Sequence, residues 1–142
     1  MKILKAEMKD ILKIAEIMME VFSKKPWNEK WNKLNAVKVI KNYHKIAEIY
    51  VALINKKIAG FIIIREEPSN LGPWINIEEL AIKQEFQKKG ISKELIGYTE
   101  KISEKRKARI IYFSTHKRYI KFYKKFGYIY DKNKIYMFKK LR

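Results

Sequence analysis

Three observations place this chain in the mixed α/β (α+β) class, with helices on both faces of a central sheet. Hydrophobic spacing switches repeatedly between a period near two and a period near 3.6. A strand-helix-strand run over residues 74–115 requires a crossover, so at least one pair of strands is parallel. The 142 residues, 47% hydrophobic and 13% aromatic, suffice for one core and match the size of one domain, residues 1–142.

The elements follow in order. Lys2 to Ala6 reads as a short strand. Met8 to Phe22 reads as a helix with Ile11, Ile14, Met18 and Phe22 on one face. Ser23 to Lys33 contains Pro26 and several Asn or Ser residues, and reads as a loop. Asn35 is placed to cap a second helix, whose buried stripe is Val37, Ile40, Tyr43 and Ala47. Ile49–Ile54 and Ile58–Arg65, on either side of Asn55-Lys56-Lys57, read as a hairpin. Pro68, Asn70, Gly72 and Pro73 mark a loop before the fourth strand, Trp74 to Ile82. Residues 83–90 connect it to a helix over Ile91 to Lys105, and the fifth strand is Arg109 to Thr115. A short helix over Lys117 to Phe126 stops at Gly127, a residue suited to a left-handed cap. Tyr128–Asp131 and Lys134–Lys140 read as two last strands around Asp131-Lys132-Asn133. The expected sheet therefore has about six to seven strands, with about four helices.

Composition narrows the function. The absence of cysteine removes disulfides and thiolate zinc sites, and two distant histidines make a metal site an unattractive reading. The first residues lack the apolar core of a signal peptide, and no apolar run reaches bilayer length. The expectation is a soluble, cytoplasmic protein with no membrane partner. The net charge is +18, and residues 101–142 carry 15 basic side chains against 2 acidic ones. Such a field attracts polyanions, whether nucleic acid, phosphorylated cofactors or acidic proteins. The lysines are interspersed with core residues, however, so a Lys- and Ile-heavy background composition explains the charge equally well.

One segment carries most of the chemical information: Leu80-Ala81-Ile82-Lys83-Gln84-Glu85-Phe86-Gln87-Lys88-Lys89-Gly90-Ile91-Ser92. It joins a strand to a helix start, where the first amides lack intrahelical acceptors and the dipole is positive. A tight loop leading into that end makes a nest for phosphate oxygens. Gly90 permits close backbone approach, Ser92 is small, and Lys88 and Lys89 add charge.

The pattern resembles the acyl-CoA signature of the GNAT superfamily of acetyl-CoA-dependent N-acetyltransferases. That signature has a small aliphatic residue closing strand four, then Gln or Arg, two residues, Gly, one residue, and Gly or Ala. Ile82, Gln87 and Gly90 match it, and Ser92 departs from it. Phe122-Tyr123-Lys124-Lys125-Phe126-Gly127-Tyr128 resembles a second segment of the same family at the family's separation. Phe22 to Trp31, with Pro26-Trp27-Asn28-Glu29, is similar to the substrate-side loop of one bacterial and archaeal branch. Together with the order of elements, the likeness covers nearly the whole chain.

The resemblance implies a sheet that splays between strands four and five, with acetyl-CoA lying in the gap. It implies that Gln87, Lys88, Lys89, Gly90, Ile91 and Ser92 receive the pyrophosphate through backbone amides. Leu80, Ala81 and Ile82 would pair with the pantetheine arm, and the amide of Leu80 or Ala81 would receive the oxyanion. Tyr123, a phenol protonated at neutral pH, stands at the family's general-acid position. Glu78 and Glu79 precede the cofactor residues, and either can take the amine's proton. Strand alternation lets only one of them face the site, with Glu79 ranked first. His116 falls where many relatives carry Asn on the cofactor arm. Trp27 and Trp31 are candidates for aromatic walls of the acceptor pocket. His44 is given no role.

The implied activity is acetyl transfer to a primary amine, of a small molecule or a protein, by direct attack in a ternary complex. The competing readings are a basic nucleic-acid-binding module, for which no recognition motif is present, and a GNAT fold that binds acyl-CoA without catalysis. The last two strands could pair across a homodimer, and a monomer fits equally well.

Overall fold

The computed structural model describes all 142 residues. Its single sheet has the order β1 (Lys2–Lys5), β2 (Glu48–Ile54), β3 (Lys57–Glu67), β4 (Trp74–Ile82) and β5 (Ile110–Tyr112). The first four pair antiparallel, and β5 joins β4 in parallel. The crossover that makes this parallel pair is α3 (Ile91–Lys105).

A 3-10 turn over Met8–Asp10 leads into α1 (Ile11–Phe22). The turn is closed by the Glu7 amide donating to the Asp10 carboxylate at 2.8 Å. Asn32 caps α2 (Lys33–Ile46), and its side-chain oxygen accepts from the Asn35 amide at 2.8 Å. The helix thus starts earlier than a cap at Asn35 requires, because Asn35 is the donor in the cap rather than the acceptor. The β2–β3 hairpin turns on Asn55 and Lys56, both left-handed at φ 48° and 64°, which is the two-residue turn that matches strand twist.

The sheet separates two apolar layers. On one face α1 and α2 pack Ile14, Ile17, Met18 and Ile40 against Phe61, Ile63 and Ala81. On the other face α3 packs Ile91 and Leu95 against Ile62, Ile64, Ile75 and Ile77. β3 is buried on both faces, so it is apolar almost throughout. Gly60 is required within it: a Cβ there would lie 2.5 Å from Ile82 Cδ1 and 2.8 Å from the Ala81 carbonyl oxygen.

The C-terminal region departs from expectation. β5 is three residues long rather than seven. A 3-10 turn at Lys117–Tyr119 and the short α4 (Ile120–Lys124) replace one longer helix. Gly127, at φ 89°, ends it in the left-handed conformation expected. The two last strands do not form, so the sheet has five strands and not six or seven. The turn between them is present, with the Lys134 amide donating to the Asp131 carbonyl at 3.3 Å, but its arms meet no sheet edge. A strand is stable only when its backbone groups find a partner, and Ile129, Ile135, Tyr136, Met137 and Phe138 stay exposed here.

Candidate active site: a bulged strand, an open edge and a row of free amides

β4 organises the site. Its register with β3 shifts between Ile63 and Ile64: Ile63 faces Glu79, Ile64 faces Ile77, and Glu78 is the extra residue. A bulge of this kind turns two consecutive side chains toward the same side. Trp74, Asn76, Glu78, Glu79 and Ala81 therefore share the α1/α2 face, while Ile75, Ile77, Leu80 and Ile82 turn to α3. This corrects the expectation that only one of Glu78 and Glu79 can face the site.

The two carboxylates differ in their surroundings. Glu78 is held by Arg65 (Nε donating at 3.0 Å), by Asn76 at 2.7 Å and by the Tyr43 hydroxyl at 3.3 Å. Glu79 has no hydrogen-bond partner in the protein. Burial pushes its pKa up to about 7, with the nearby charges of Glu29 and Glu78 adding to the shift. Tyr43, which donates to Glu78, is pushed up to about 12 by burial and then by Glu79 and Glu78.

β4 pairs with β5 only at Trp74, Ile75 and Asn76. From Ile77 to Ile82 its outer edge has no strand beside it, so the sheet opens between strands four and five. The Lys83 amide donates to Ala59 of β3 at 2.8 Å. Alternation then turns the backbone groups of Ala81 toward β3 and those of Leu80 and Ile82 toward the open edge. The Ile82 carbonyl on that edge accepts from Gln87 Nε2 at 3.0 Å.

Beyond β4 a 3-10 turn at Gln84–Phe86 leads to Lys88 at φ 63° and Gly90 at φ 81°, the residue before α3. The Gln87 amide is spent on the Gln84 carbonyl. The six amides from Lys88 through Lys93 have no acceptor in the protein. Open space stands where a Cβ on Gly90 would be. Lys89 Nζ lies 5.7 Å from the Phe86 ring centroid.

Tyr123 packs its ring against Phe113, just past β5, with centroids 4.5 Å apart. Burial raises its pKa, with Tyr119 adding to the shift and Thr115 opposing it, so the phenol keeps its proton. His116 acts locally as a cap: its Nδ1 accepts from the Arg118 amide at 3.1 Å. Trp27 packs against Phe22, His116 and Tyr119, tying the loop after α1 to the α4 region. It also lines a recess of about 160 Å³ with Lys24, Gln84, Gln87 and Tyr119, beside the loop that leads into α3. Trp31 donates to Glu29 at 2.9 Å, and Glu29 is one of the charges that perturb Glu79. Sequence reasoning missed Tyr43, Arg65 and Asn76. They belong to the site through the Glu78 network, and only an acid pair on a strand flanked by polar inward positions hinted at them.

The sheet is mixed and opens past its short parallel pair, and the row of free amides follows the open end of β4. The sequence model of the acetyltransferase (GNAT) family matches residues 11–128, and the chain belongs to that family of acyltransferases. Curated protein sequences give no match. Among solved structures the fold is similar to a possible acetyltransferase from Clostridium difficile 630, with TM-score 0.86, 19% identity, and 99% and 98% of the two chains covered. It is similar to a ribosomal-protein-alanine N-acetyltransferase from Brucella melitensis biovar Abortus 2308, with TM-score 0.79, 16% identity, and 98% and 99% covered. It is also similar to an aminoglycoside acetyltransferase from an uncultured soil metagenomic sample, with TM-score 0.75, 19% identity, and 99% and 96% covered.

Proposed function

We propose that the protein transfers an acetyl group from acetyl-CoA to a primary amine, with donor and acceptor held together on β4. The observation that carries this reading is an adjacency on one strand. A carboxyl poised near neutrality, Glu79, lies on the unpaired stretch of β4 that runs into six amides without acceptors.

The residues fit a CoA thioester. The amides from Lys88 to Lys93 suit the pyrophosphate, and the side chains of Lys88 and Lys89 add positive charge. The Gln87 side chain braces the loop to the end of β4, so its role is to hold the nest in shape. The open-edge groups of Leu80 and Ile82 suit the amides of the pantetheine arm. Acetyl-CoA, when bound, supplies an acetyl group activated as a thioester. Glu79 accepts the proton that the attacking ammonium must lose, which its raised pKa favours near neutral pH. The Leu80 amide, aimed at the open edge, donates to the carbonyl oxygen as it gains charge. Tyr123 returns a proton to the leaving sulfur. The new C–N bond replaces the C–S bond. The nitrogen gives up one proton to Glu79 before attack and a second that restores the Tyr123 phenol as the amide forms, Tyr123 having given its own proton to the sulfur. Glu79 then releases the one net proton to solvent.

Calorimetric titration with acetyl-CoA, on wild type and Gly90→Glu, tests the donor site. A carboxylate at residue 90 places negative charge beside the amide row, so binding weakens by at least tenfold while the fold persists. Equal binding by the two proteins would remove the loop from the donor site. Binding by wild type without acetylation of any amine would leave a cofactor-binding protein and end the transfer reading.

A further inference from the structure

The row of polar side chains on β4 does not stop at the proposed reacting centre. It runs to a second recess at the other end of the strand, of about 340 Å³, lined by Glu67, Pro68, Ser69, Trp74 and Tyr112. Trp74 and Tyr112 meet edge to face with centroids 5.9 Å apart, and they remain 39% and 38% exposed. The Tyr112 hydroxyl donates to the Glu67 carboxylate. Two partly exposed aromatic rings beside a carboxylate form a site that attracts an ammonium through cation–π and charge interactions together.

Resting on the transfer reading, we propose that the acceptor is a linear polyamine whose distal ammonium occupies this Trp74–Tyr112–Glu67 recess while a terminal amine lies at Glu79. The two ends are joined by a continuous polar row. Arg65 bridges Glu67 (3.6 Å) and Glu78 (2.9 Å), and Asn76 donates to Glu78 at 2.7 Å. Glu67, Glu78 and Glu79 thus set three carboxylates against one guanidinium, with Glu29 beyond them. The chain carries only 15 acidic residues within a net charge of +18, so most of its surface repels a polycation and this face attracts one. Trp74 and Glu79 are five residues apart along a bulged strand, at most ~16 Å, the reach of an extended tetraamine and beyond that of a simple monoamine.

Calorimetry with spermine at low ionic strength tests the recess directly, on wild type, Trp74→Ala, Glu67→Gln and the remote control Glu104→Gln. The expected result is at least tenfold weaker binding in both recess variants and unchanged binding in the control. No binding to wild type, or equal binding in all four proteins, would overturn the assignment. Initial rates supply the second readout. Trp74→Ala should raise KM for spermine at least tenfold, leave kcat within about twofold, and leave butylamine kinetics unchanged. An unchanged KM for spermine, or peptides with a free N-terminus turned over better than any polyamine, would overturn the polyamine as acceptor. If spermine binds through Trp74 and Glu67 but no amine is acetylated, the transfer reading falls and the ammonium recess stands.

Discussion

Glu79 shows how one residue's surroundings set both chemistry and stability. Its carboxyl sits on the sheet face without a hydrogen-bond partner, and burial raises its pKa to about 7. Below pH ~4.5 it is protonated whether the chain is folded or not. Between that value and about 7 the folded chain holds the proton and the unfolded chain releases it. Stability must therefore fall as pH rises through this window, by up to ~3 kcal/mol, as the buried carboxylate becomes charged. Glu79→Gln should abolish that decline, and thermal melts from pH 5 to pH 8 will show it as a flatter profile. The same substitution should lower kcat by about 10²–10³-fold and erase the rising limb of kcat/KM near pH 7. A variant that keeps the limb would assign the proton to another group. Glu78, one residue away, is spent on Arg65, Asn76 and Tyr43.

At the scale of elements, β4 and the loop after it act as one unit. The bulge at Glu78 turns consecutive acids to one face, and the short pairing with β5 leaves the edge from Ile77 onward open. The loop returns to that edge through a side-chain hydrogen bond, Gln87 Nε2 to the Ile82 carbonyl. Gln87→Ala removes a hydrogen bond of ~1 kcal/mol, and the amide row is then less well ordered before donor binding. KM for acetyl-CoA should rise about fivefold with kcat nearly unchanged, since the loop is remote from the reacting atoms. A fall in kcat with constant KM would show that Gln87 acts at the chemical step instead.

Across the whole molecule, one arginine adds ion pairs to the apolar packing that ties the α3 layer to the sheet. Arg106, just past α3, donates to both oxygens of Glu48 on β2 at 2.7 and 2.8 Å, and to Glu66 at 3.2 Å. The guanidinium hydrogen bonds hold Glu48 at about 2, against the opposing effect of burial. A lowered carboxyl pKa stabilises the fold above pH ~4.5, and that stability is lost as pH falls toward 2. Both side chains are partly exposed, so screening reduces the contribution to ~1–2 kcal/mol. Arg106→Met should lower Tm by about 3–6 °C at pH 7. The gap to wild type should narrow as pH falls from 4.5 to 3. A gap independent of pH would mean that Arg106 contributes by packing its stem and not by pairing.

Much of this protein was determined by its sequence alone. Alternating periods located β1 to β4 and α1 to α3, because burying one face of a strand or helix dictates the spacing of apolar residues. The strand-loop-helix passage from Leu80 to Ser92 was legible for the same reason: a glycine and small residues at a helix start leave amides free. What the spacing did not determine lies in contacts between distant segments. The bulge that turns Glu78 and Glu79 to one face arises from pairing with β3, and no local pattern in β4 announces it. Asn32 rather than Asn35 caps α2, because the accepting side chain depends on where the loop from α1 enters. The C-terminal residues have the alternation of strands, yet alternation describes only how side chains divide between faces. Whether a strand exists depends on a neighbouring edge for its backbone, and only the tertiary structure decides that.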